Sequence, residues 1–64
     1  MHNIHINAEL LFVLVRDARL DGYRNVSKYL KEQYDAELID DLNELIFNNT
    51  NKQLLFELTY SGYI

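Results

Sequence analysis

Asp35-Ala36-Glu37-Leu38-Ile39-Asp40-Asp41-Leu42-Asn43-Glu44-Leu45-Ile46-Phe47 is the stretch on which the fold reading turns. Leu38, Ile39, Leu42, Leu45 and Ile46 recur at i, i+3/i+4 and i+7, the template of one buried helical stripe. Asp35 is placed to cap such a helix, with Glu37 in the first turn, where carboxylates favour the helix dipole. Tyr34 falls one turn from Ile39, the spacing of a hydrophobic staple. The spacing therefore predicts a helix over 36–47, broken by Asn48-Asn49-Thr50-Asn51. Opposite its leucines, Glu37, Asp40, Asp41 and Glu44 would share one acidic stripe. Like charges at that spacing cost an isolated helix a few tenths of a kcal/mol.

Helix signals continue on both sides. Asn7 precedes Ala8-Glu9-Leu10-Leu11, Ile6 can staple against Leu11, and Gly22 suits the left-handed residue that ends a helix; together they predict a helix over 8–20. Asn25 or Ser27 can cap a second helix over 26–33. Thr50-Asn51-Lys52-Gln53 reads as a capping box and Gly62 as a stop, giving a helix over 51–61. Leu54, Phe56, Leu58 and Tyr60 also alternate as a strand would. The helix is preferred, because a strand needs a pairing partner and only the short Asn3-Ile4-His5-Ile6 stretch offers one. Asn7–Leu11 resembles Asp35–Ile39, a pattern that two stacked helical hairpins would produce, although good helix starts also look alike. The expectation is an all-α fold: one domain over 1–64, a compact bundle of three to four short helices. Absence of proline and the presence of only two glycines argue against a turn-rich β-sandwich.

Composition narrows the chemistry. A 64-residue chain buries only ~60% of the surface it exposes when unfolded, so it is marginally stable alone. No cysteine is present, which removes disulfides and thiolate metal sites as stabilisers and leaves a partner subunit. His2 and His5 are the only imidazoles and lack a third ligand, so no metal and no other cofactor is expected. No Gly-x-Ser-x-Gly or phosphate-cradling loop frames a hydroxyl, so no enzyme is expected. The longest apolar run has six residues against the ~20 of a membrane span. A soluble cytoplasmic protein is the expectation, with a phage or bacterial source suggested by size alone.

Two features point to contact with other molecules. Leu10-Leu11-Phe12-Val13-Leu14-Val15 is apolar all round a helix, so Phe12 and Val13 are candidates for a partner surface beyond the core. Charge is also divided. Residues 1–31 carry five cations against three acids, whereas residues 32–64 carry seven acids against Lys52. The acidic stripe of Glu37, Asp40, Asp41 and Glu44 could meet a basic partner, or the Arg24/Lys28/Lys31 side of a second copy. Tyr63, near the chain end, is a further contact candidate. The expected function is a small protein-binding regulator or inhibitor that occludes a partner, working as a homodimer. The alternative is a nucleic-acid-binding transcriptional regulator with Arg24, Lys28 and Lys31 on phosphates. A helix-turn-helix within 25–47 is disfavoured, because its turn lacks glycine and its reading helix would be acidic.

Overall fold

The computed structural model describes residues 3–39, 41 and 43–63, and it is an α+β fold rather than the expected all-α bundle. The order is β1 (Asn3–His5), α1 (Ala8–Leu20), α2 (Val26–Tyr34), β2 (Ala36–Ile39), β3 (Glu44–Phe47), α3 (Thr50–Thr59) and a closing 3-10 turn at Ser61–Tyr63. The strands form one antiparallel sheet in the order β1-β3-β2.

Asparagine starts each of these helices. Asn7 Oδ1 accepts from the Leu10 amide at 2.8 Å, Asn25 Oδ1 from Ser27 at 2.7 Å, and Asn49 Oδ1 from Lys52 at 3.1 Å. Each bond satisfies an amide that has no partner inside the helix. The last helix is thus capped one residue before the expected Thr50, which becomes its first residue. Gly22 ends α1 in a left-handed conformation (φ 84°), and the Gly22 and Tyr23 amides return to the Arg19 and Ala18 carbonyls at 3.0 and 2.8 Å. This is the paired bonding of a glycine-terminated helix. Nothing lies within 4 Å of a Cβ added at Gly22, so only the backbone resists substitution. Gly22→Ala is therefore expected to cost ~1–2 kcal/mol, read as a lower urea midpoint with an unchanged slope.

The predicted helix over 36–47 is instead a hairpin. Asp35 does not cap a new helix; it terminates α2 in the left-handed region (φ 51°), its amide bonded back to the Leu30 and Lys31 carbonyls. The chain leaves extended, and side chains then alternate. Ala36 pairs with Phe47 and Leu38 with Leu45 on the face toward the helices, while Glu37 pairs with Ile46 and Ile39 with Glu44 on the outer face. Asn43 takes a second left-handed position (φ 52°) in the turn, which asparagine tolerates better than most residues. β1 completes the sheet through Ile4 opposite Leu45. The likeness of Asn7–Leu11 to Asp35–Ile39 consequently marks no duplicated hairpin: one copy is helix, the other strand.

The core lies between the sheet's inner face and the helices. Leu10, Val13, Leu14 and Ala18 come from α1, Tyr29, Leu30 and Tyr34 from α2, and Phe56 with Tyr60 from the C-terminal segment. Aromatic rings link the layers: Phe56 meets Tyr34 edge-on at 5.2 Å and lies 5.2 Å from Phe47.

Candidate interaction surfaces

With the 36–47 helix absent, its acidic stripe is absent too. Glu37 and Glu44 lie on β2 and β3, diagonal to each other on the outer sheet face, and exposed Asp41 sits in the connecting turn. Asp40 lies outside the described residues. Glu44 is also directly across from His5 of β1. Of the carboxylates that the sequence placed along a helix edge, Glu37 and Glu44 therefore lie on a sheet face interleaved with Ile39 and Ile46.

On α1 the over-apolar run divides by helical phase. Val13 is only 5% exposed and belongs to the core, so it offers no partner surface, while Phe12 is 73% exposed. Beside Phe12 run Val15, Arg16, Arg19 and Leu20, which together border an open hollow of about 330 Å³. An adjoining hollow of about 270 Å³ continues from Val15 and Arg19 across the turn to Tyr23, Arg24, Asn25 and Val26. No acidic side chain among the described residues lines either one. Arg16 bonds its neighbour Asp17 at 3.3 Å, whereas Arg19 and Arg24 form no ion pair among the described residues.

α3 presents a surface that sequence reasoning missed. Gln53, Phe56 and Tyr60 face inward, leaving Leu54, Leu55 and Leu58 outward at 54%, 50% and 77% exposure. The signal was present, since 54, 55 and 58 share one side of a helix and 53, 56 and 60 the other. The alternation of 54, 56, 58 and 60 mixed the two sets.

Arg24, Lys28 and Lys31 are all exposed at the start and along the outside of α2, with Lys28 3.9 Å from Glu32. The short-turn helix pair in the described chain is thus α1–α2, with Gly22 in its turn, and not a pair within 25–47. Tyr63 is half-buried, and its carbonyl accepts from Asn7 Nδ2 at 3.3 Å, which ties the chain's end to the start of α1.

Tyr29, Tyr60 and Asp17 are bonded to one another at the edge of the core. Tyr60 Oη donates to Asp17 Oδ2 at 2.6 Å and lies 3.2 Å from Tyr29 Oη. Burial raises the pKa of both phenols; at Tyr60 the bond to Asp17 raises it further. A phenol held protonated inside a core is a link between helices, not an activated nucleophile. Among the described residues, no three His, Asp or Glu side chains gather as a metal site would require. No helix among them is long and apolar enough to cross a membrane.

The chain matches no family model, no curated protein and no solved structure. Its surfaces must be read from their own chemistry.

Proposed function

We propose that this is a non-enzymatic protein-binding regulator that acts by occluding or modulating a partner, and that it self-associates through α3. The observation that carries the reading is the row of Leu54, Leu55 and Leu58 on the outer face of that helix. A contiguous apolar patch of this kind on a soluble domain is usually a contact surface. A second copy is the occupant favoured by charge: exposed Asn51 and Thr59 extend the same face, and the ionised groups bordering it, Lys52 and Glu57, are of opposite sign, so two-fold pairing brings together no net like charge. Burial on both copies amounts to roughly four leucine side chains, ~6–12 kcal/mol, against an association cost of ~4–15 kcal/mol. Those terms nearly offset, so dimerisation is expected only at micromolar concentration or above. A cytoplasmic setting belongs to the same reading and leans on the cysteine-free composition.

Sedimentation velocity over a concentration series tests the dimer. The wild type should shift from monomer to dimer across ~1–100 μM, and Leu55→Asp/Leu58→Asp should remain monomeric with an unchanged circular dichroism spectrum. A wild type that is monomeric at the top of that range overturns self-association.

A second reading, a nucleic-acid-binding regulator, is favoured by one observation: Lys28 and Lys31 are exposed on the second helix of a helix pair with a short turn. Against it stand the net charge of −4 and the acids of the hairpin that follows α2 directly. Salt-dependent retardation of a labelled duplex, lost in Lys28→Ala/Lys31→Ala, would promote it.

A further inference from the structure

We infer that the groove along α1 and over the α1–α2 turn is a docking site for a polypeptide segment carrying carboxylates beside apolar side chains. This rests on the protein-binding reading above and names the partner chemistry for a surface separate from α3. The two hollows share Val15 and Arg19 as a common wall and so adjoin, lining one strip of surface from Phe12 to Val26. Its floor is apolar, with buried Ala18 and half-buried Val15 and Val26, and exposed Phe12 and Leu20 extend that character outward. Leu20 is 78% exposed at the helix end, where nothing in the described chain covers it.

The rim is cationic: Arg16, Arg19 and Arg24 border the groove. Of the two acids nearest in sequence, Asp17 turns inward to Tyr60 and spends its other oxygen on Arg16, and exposed Asp21 in the turn lines neither hollow. Guanidinium groups present planar pairs of N–H donors that match carboxylates. On a chain of net charge −4, a strip with three arginines and no lining acid is a local reversal of sign, which selects an acidic partner and speeds its approach. Phosphate is the other anion to weigh. A phosphodiester backbone has no use for an apolar floor, whereas an amphipathic segment fills both floor and rim. From Phe12 to Leu20, α1 runs ~12 Å, the length of about two turns of a docked helix.

Fluorescence anisotropy with synthetic peptides tests the inference on the intact chain. The probe is a labelled helical peptide with leucine and glutamate on one face. Its controls are oligoglutamate, the same peptide with glutamine for glutamate, and a labelled DNA duplex. The Leu/Glu peptide should bind with a Kd on the order of 10 μM, about tenfold tighter than either peptide control, and weaken with salt. Arg19→Glu/Arg24→Glu should remove that preference, and Phe12→Ser should reduce it for the Leu/Glu peptide while leaving oligoglutamate unchanged. Leu55→Asp/Leu58→Asp should bind as the wild type does, which separates this groove from dimerisation through α3. Preference for the duplex, equal binding of all peptides, or indifference to the arginine reversals in a variant with native circular dichroism would each overturn the proposal.

Discussion

Phe56→Ala should leave the protein largely unfolded at 25 °C. Phe56 is fully buried and touches three other rings: Tyr34 at 5.2 Å, Phe47 at 5.2 Å and Tyr60 at 4.8 Å. Those partners belong to α2, β3 and the end of α3, so one side chain joins three elements. Truncating a buried phenylalanine typically costs ~3–5 kcal/mol in lost transfer energy and residual cavity. At ordinary stability per residue, a chain of 64 has only ~3–10 kcal/mol in total. The loss is comparable with the whole, and far-UV circular dichroism should show it directly. Phe56→Leu, which keeps most of the volume, should fold with a lowered urea midpoint. If Phe56→Ala instead melts within a few degrees of the wild type, α3 does not pack on the sheet as described.

Legibility in the sequence followed the range of the interactions. Helices α1 and α2 were readable almost to the residue, because Asn7, Asn25 and Gly22 set their ends through bonds to neighbours within five positions. The helix at 50–59 was also readable, although its cap proved to be Asn49. The stretch 36–47 was not. Its apolar positions fit a helical stripe and a pair of four-residue strands equally well, since short apolar runs satisfy both periods. What decides between them is non-local: β3 pairs with β1 some forty residues earlier, and local spacing carries no information about that pairing. Asp35 compounded the ambiguity, because the short polar side chain that caps a helix start also tolerates the left-handed turn that ends one.

The same loss of one helix dissolved the expected acidic stripe, whereas the exposure of Phe12 could be reached by an argument that needed only the first helix. Its neighbour Val13 shows the limit of that argument: a run apolar all round identifies surplus, not which side the core takes. Phase was available for α3 as well, but only after the strand reading of its alternation had been set aside. Exposed leucines at 54, 55 and 58 then separate cleanly from Phe56 and Tyr60.

Between pH 7 and about 10 stability should be insensitive to Tyr29 and Tyr60, and above that it should collapse. Both phenols are raised from their ordinary value by burial, and Tyr60 additionally by its 2.6 Å bond to Asp17 Oδ2. Ionising Tyr60 in place would set a phenolate against that carboxylate. In the unfolded chain tyrosine releases its proton near pH 10. Because the folded values lie higher, the unfolded state loses protons first as pH rises, and each such group then favours unfolding by about 1.4 kcal/mol per pH unit. The loss accumulates until the folded phenols themselves release their protons, and it is drawn from the few kcal/mol that a marginal domain has. The urea midpoint should hold to about pH 10 and then fall steeply. The tyrosinate absorbance of Tyr29 and Tyr60, taken as the difference between the wild type and variants with phenylalanine at these positions, should appear together with loss of ellipticity, not before it. Tyr60→Phe makes the assignment specific. At neutral pH it should cost ~1–3 kcal/mol, since Asp17 keeps its charge and loses its donor; above pH 10 its stability should decline at about half the wild-type slope. Gradual appearance of all tyrosinate signal near pH 10 with ellipticity intact would mean that these two hydroxyls are not held inside the core.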